Sequence, residues 1–289
     1  MPTSVEELVD LLELEAIDAN LFRGRQPITF LQRVFGGQVA GQALMAASRT
    51  APEDMDVHSL HSYFLRPGDP NVPIIYDVER IRDGKSYATR RVEARQHGKS
   101  IYYQTVSFHR PEAALLDHQD VMPDALPVEE SPLVLDLLRK MSPDAVKTWE
   151  QEWGILDLRL AGQTGPRGNL DASEHPSRAR FWIRVAGQLP NEPLVHQAAL
   201  TYLSDVTLLG TSLAAHGLRF SDPGVMAASL DHTVWFHRPF RADEWLLYDQ
   251  VSPSAQGGRG LSIGRLFTEA GVLVATCAQE GVIRYTPPA

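Results

Sequence analysis

Apolar residues in the first part of the chain recur first with the period of a helix and then with that of a strand. Val5, Leu8, Val9 and Leu12 follow Ser4 and Glu7, which predicts a short amphipathic helix opened by a capping box. From residue 35 to about 48 the residues are small and apolar on nearly every side. That pattern predicts a helix buried all round rather than laid on a surface. Residues 58–65, 74–83, 87–97 and 100–109 then read as strands, with Asp83-Gly84 and His97-Gly98 as tight turns between them. Short turns predict antiparallel pairing.

The pattern breaks at residue 111 and later returns. Prolines at 111, 123, 127, 132 and 143, mixed with carboxylates, mark 111–178 as a connector with local helices between about 132 and 153. A structureless loop of that length is unusual inside one domain, so the connector is read as joining two. Phe64-Leu65-Arg66-Pro67 then finds its match in Phe236-His237-Arg238-Pro239, and Ile74-Ile75-Tyr76-Asp77 in Leu246-Leu247-Tyr248-Asp249, both at an offset of 172 residues. Gln38-Val39-Ala40 can be laid on Gln197-Ala198-Ala199, each opening an apolar helix. Two matches in register argue for duplicated domains, here 1–110 and 179–289. An all-round apolar helix is hidden only by a curved sheet wrapped about it. The expected fold is therefore α+β, a double hot-dog of two fused domains, each with a long central helix inside an antiparallel sheet.

Composition narrows the function. Of the 289 residues 43% are hydrophobic and 22% charged, a soluble balance. No run of about 18 apolar residues exists to span a membrane. Neither a signal peptide at the start nor a Ser-Lys-Leu tail at the end is expected, so the expected compartment is the cytoplasm. A formal charge of −9 argues against nucleic-acid binding, though local arginines can still hold a small anion. Cys277 is the only cysteine and sits in an apolar strand pattern, where a core residue is expected rather than a nucleophile.

The candidate chemistry is concentrated in the second half. Asp205 lies in an apolar helical stretch, where it is either an acid on a polar stripe with Ser204 or a functional carboxylate. Ser229, Asp231, Thr233, Trp235 and His237 share one face if 226–237 is a regular strand. Gln279 interrupts the apolar strand 272–278. The first repeat has Ala46 and Val106 opposite Asp205 and Gln279, which suggests one working site per duplicated pair. His58 and His61, three apart in a strand, are expected on opposite faces, poor spacing for a shared metal. No zinc, phosphate-loop or dinucleotide motif occurs, and no Gly-x-Ser-x-Gly elbow, so no metal or cofactor is expected.

These residues belong to longer motifs. Leu21-Phe22-Arg23-Gly24, Val34-Phe35-Gly36-Gly37-Gln38-Val39, 58–69, Leu230-Asp231-His232, 235–240 and Gln279-Glu280-Gly281-Val282 give the chain a resemblance to the acyl-CoA thioesterase II (TesB-like) family. The resemblance implies hydrolysis of medium- to long-chain acyl-CoA without a metal. It implies an aspartate, a serine or threonine and a glutamine that orient water, mapping onto Asp205, Ser229 and Gln279. Ser229 departs from the usual threonine but keeps the hydroxyl. It also implies a homodimer or homotetramer. His58, Arg66, Arg238 and Arg284 are candidate substrate contacts, the arginines for phosphate or else for structural ion pairs. Two alternatives remain at this stage. One is a hot-dog hydratase or dehydratase, which needs His232 or His237 beside Asp205. The other is a non-catalytic acyl-CoA sensor.

Overall fold

The computed structural model describes residues 1–113, 115–140, 142–165 and 168–287. Its first half runs α1 (Val5–Leu12), β1 (Glu15–Asp18), β2 (Leu21–Gly24), α2 (Gly36–Ser48), β3 (Asp56–Phe64), β4 (Ile74–Asp83), β5 (Tyr87–Gln96) and β6 (Lys99–His109). Ser4 caps α1 by accepting from the Glu7 N–H, as its position predicted. His97 and Gly98 both have positive φ, 50° and 70°, which is what a two-residue hairpin between β5 and β6 demands.

The segment 111–178 holds α3 (Val134–Arg139) and α4 (Pro143–Trp153), where helices were expected. It also holds β7 (Leu156–Gln163), a strand whose pattern the proline-rich surroundings obscured. The rest is β8 (Arg178–Val185), α5 (Pro193–Ser204), α6 (Thr211–Ala214), β9 (Val225–Ser229), β10 (Asp231–Phe236), β11 (Leu246–Gln256), β12 (Arg259–Thr268) and β13 (Leu273–Tyr285).

All of these strands join one antiparallel sheet, in the order β1-β2-β4-β5-β6-β3-β10-β13-β12-β11-β8-β7, with β9 also paired to β13. The order is its own mirror image. β3 and β10 meet at the centre, with Ser59 opposite Trp235, His61 opposite Thr233 and Tyr63 opposite Asp231. Under the 172-residue offset the Ser59–Trp235 and Tyr63–Asp231 pairs exchange and His61–Thr233 maps onto itself, so a pseudo-twofold axis passes between His61 and Thr233. β7 occupies the mirror position of β1. The central β3–β10 pairing leaves neither domain with a bare strand edge there.

Inside the sheet α2 and α5 pack antiparallel. A Cβ on Gly37 would lie 2.4 Å from the Tyr202 carbonyl oxygen, and one on Gly41 3.2 Å from that of Ala198. The two glycines permit a close backbone approach, where the sequence of α2 had given only the expectation of burial. Gly37→Ala is expected to wedge the helices apart and cost about 1–3 kcal/mol, an overpacking-sized loss. Chemical denaturation checks it; an unchanged midpoint would mean that the helices yield freely.

Candidate active site

The antiparallel packing sets the C-terminal end of α5 against the N-terminal end of α2. Asp205 is the C-cap of α5. A carboxylate at that end of a helix opposes its dipole, whereas the facing start of α2 favours one. The Gly37 N–H donates to Asp205. Gly36 lies so close that a Cβ there would sit 2.6 Å from Asp205 Oδ2. The double glycine at the head of α2 therefore belongs to the site. Its only signal in the sequence is a Gly-Gly pair opening a helix, which by itself points to no role.

Two further strands complete the cluster. Gln279 on β13 is buried. Its Nε2 donates to Asp205 Oδ1 at 2.5 Å and to Ser229 Oγ at 2.9 Å. One amide thus joins all three candidate residues. Because the Ser229 oxygen accepts from Gln279, its own O–H remains to donate elsewhere. The Gln279 Oε1 is buried without a protein partner among the described residues.

Ser229 reaches this cluster through an irregularity. A regular strand would have put it on one face with Asp231, Thr233, Trp235 and His237, and that expectation fails. Ser229 pairs with Gly281, but Thr233 pairs with Ala278, so the register slips by one at Leu230. This β-bulge turns Ser229 inward, while Trp235 packs on His61 on the outer face. Asp231 closes the bulge by accepting from the Glu280 N–H at 2.7 Å. The mirror position carries the same device, since β3 slips register between Val57 and Ser59. It puts His58 on the outer face, bonded to Ser107 Oγ at 2.8 Å. His61, opposite Thr105, shares that face. The expected opposite-face arrangement of the two histidines is thereby corrected.

Burial pushes the Asp205 carboxyl up to about 7, against the pull of the Gln279 and Gly37 donors. The carboxylate is packed on most sides but opens onto a cavity of about 470 Å³ that Gly36, Ser229, Phe64, Ile101 and Leu209 also line. Near neutrality Asp205 exists as base and acid in comparable amounts, a suitable state for taking a proton.

The remaining candidates are scattered. Arg66 lines this cavity and donates to the Ser100 carbonyl. Arg238 is across the pseudo-axis, bonded to the Leu273 carbonyl and to Asp117. Arg284 is exposed at the far end of β13. His58 is on the outer face, away from Asp205. His232 is buried and bonds Ser204 Oγ at 2.8 Å, and His237 bonds Thr276 Oγ1. Neither is bonded to the carboxylate as dehydratase chemistry would need. Cys277 is buried, and burial raises its thiol to about 12, so it stays protonated as a core residue.

The chain is similar to known proteins in both of its halves. Residues 26–109 match the model of the acyl-CoA thioesterase N-terminal domain, and residues 124–283 that of the acyl-CoA thioesterase C-terminal domain. Human acyl-coenzyme A thioesterase 8 is 41% identical over 96% of this chain and 88% of its own length. Acyl-CoA thioesterase 2 of Haemophilus influenzae is 37% identical over 99% of this chain and 100% of its own. The crystal structure of the acyl-CoA thioesterase II TesB2 from Mycobacterium marinum superposes with a TM-score of 0.82, at 42% identity, over 96% of this chain and 98% of that one.

Proposed function

We propose, for a chain that belongs to the acyl-CoA thioesterase II family and hydrolyses acyl-CoA thioesters, that a water molecule activated by Asp205 attacks the thioester directly. The observation that carries this reading is the single amide of Gln279, which ties the Asp205 carboxylate to the Ser229 hydroxyl on the wall of a largely apolar cavity. Asp205 takes the proton of the water as general base. The free O–H of Ser229 donates to the water oxygen and holds it on line, which removes much of the entropic cost of attack. Gln279 fixes both groups. The Gly36 N–H, left without an intrahelical acceptor at the head of α2, is the donor proposed for the oxyanion. Collapse of the tetrahedral intermediate expels the CoA thiolate, and the proton held by Asp205 returns to solvent or sulfur.

A serine here invites the alternative of an acyl-enzyme, but nothing at Ser229 resembles an activated nucleophile. It accepts from an amide rather than donating to a base, and it sits in a strand rather than on an exposed elbow. Ser229→Thr is expected to stay active, because threonine keeps the donor. Ser229→Ala is expected to lose about tenfold or more, an anchoring effect. Rapid quench with intact-protein mass measurement checks the point: an acyl adduct on Ser229 that forms and decays at the turnover rate would sink the water mechanism.

The substrate class proposed is medium- to long-chain acyl-CoA. Val39, Phe64, Ile101 and Leu209 line the cavity beside Asp205, offering an apolar seat for a tail. Each buried methylene adds up to about 0.8 kcal/mol, roughly fourfold in affinity, until the seat ends. Affinity is therefore expected to climb from acetyl- to decanoyl-CoA and then level off; equal affinity for both would contradict this seat. The family resemblance extends the proposal to a homodimer or homotetramer in the cytoplasm, which sedimentation and cell fractionation test. Among the described residues no helix is long and apolar enough to cross a membrane.

A further inference from the structure

The duplication that assembles one catalytic cavity also builds a second cavity at its mirror position. Under the 172-residue offset Phe64 and Arg66 map onto Phe236 and Arg238, and Ala228 and Ser229 map back onto Asp56 and Val57. The first four or their neighbours line the Asp205 cavity, and all four mirror residues line the second, which measures about 420 Å³ against about 470 Å³. The chemistry is absent from the copy. Val57 stands for Ser229 and Val106 for Gln279, both buried and apolar, and the stretch aligned with Asp205 lies near the buried Ala46.

The second cavity nevertheless keeps groups suited to the same kind of ligand. His196, 3% exposed, lines it. The His196 Nδ1 accepts from the Ala242 N–H at 3.1 Å, which leaves the ring proton of the neutral form on Nε2. That Nε2 is buried, and the Pro190 carbonyl beside it falls short of good hydrogen-bond geometry. A poorly satisfied buried donor is costly, and a ligand carbonyl would satisfy it better. Arg238 and Arg241 also line the cavity, as Arg33 and Arg66 line the first. Arg238 is paired with Asp117, a carboxylate 81% exposed, and so solvated an ion pair gives way readily to a phosphate. Phe236, Phe240 and Pro193 supply the apolar wall.

We propose that this cavity is a second, non-hydrolysing binding site for CoA thioesters. The acyl-pantetheine arm lies along the apolar wall, a carbonyl accepts from His196 Nε2–H, and a phosphate meets Arg238, while Arg241, held by Asp243 and Asn191, adds positive charge at the rim. Each chain then holds two thioesters and hydrolyses one. The inference rests on the reading of the Asp205 cavity as the substrate site.

Equilibrium titration of the intact protein with S-decyl-CoA, a thioether that cannot be hydrolysed, tests it. The mirror-related pair Asp56→Trp and Ala228→Trp plugs one cavity each. Two molecules per chain are expected in the parent and one in each variant. His196→Asn keeps an acceptor for the Ala242 N–H but removes the Nε2 donor, and is expected to weaken the second site about tenfold without touching the first. Circular dichroism establishes that the variants are folded. One molecule per chain, lost in Ala228→Trp and kept in Asp56→Trp, overturns the second site and leaves the catalytic cavity standing. Binding indifferent to Ala228→Trp overturns the reading of the catalytic cavity itself. A folded His196→Asn with both sites at parental affinity overturns the role given to that histidine.

Discussion

Asp205→Asn is expected to fold normally and to lose about 100-fold or more in turnover, the effect of removing a general base. The pH dependence makes the expectation specific. The base is the ionised form, and burial holds the carboxyl at about 7. In the parent, kcat/KM should therefore rise about tenfold per pH unit below 7 and level off above it; residual activity of the Asn variant should lack that limb. Stability should move the other way. The carboxyl has a folded pKa raised above the ordinary 3.8 of an aspartate, so between those values the native state holds a proton that the unfolded state has released. Its stabilising contribution is present below that value and is lost as pH climbs from 3.8 to about 7. The Asn variant, which never ionises, should gain a few degrees in Tm relative to the parent between pH 5 and pH 8. Near-parental activity in the variant, or a parental profile flat from pH 5 to 8, would remove Asp205 from the mechanism.

Gln279→Leu should cost about 100-fold, the loss that follows when reacting groups are misplaced by an ångström. The amide is the link between Asp205 and Ser229. It also lowers the Asp205 pKa against the effect of burial. Its loss should therefore shift the rising limb of the pH profile to higher pH as well as lower the plateau. Leucine is similar in size and removes the unpartnered buried Oε1, but it strips a donor from Asp205 and Ser229, so a stability loss of about 1–3 kcal/mol without unfolding is expected. The two readouts separate positioning from structure. A lower plateau with the limb unmoved would show that Gln279 does not touch the titrating group, whereas a collapsed Tm would assign it to the fold.

Much of this protein was legible along the chain, because burial writes its period into the sequence. The small, mostly apolar run of α2 signalled a helix enclosed by sheet, and the repeated Phe-x-Arg-Pro signalled that the enclosure is built twice. Asp205 and Gln279 stood out as polar residues in apolar surroundings whose mirror positions are apolar. Their meeting was not legible, since nothing local specifies that α5 ends where α2 begins. That juxtaposition comes from the antiparallel helix packing that Gly37 and Gly41 permit. Strand β7 escaped notice because an edge strand amid prolines shows little alternation. The two bulges misled a strict two-residue period: the slips at His58 and Leu230 reverse the faces assigned to His58 and Ser229. A bulge depends on how two strands twist past each other across the sheet, and residues remote in sequence settle it. Hydropathy along the chain marks the buried residues and the polar ones out of place among them. Which of those converge follows from contacts between segments far apart in the chain, here α2, α5, β9 and β13, and no local pattern encodes such contacts.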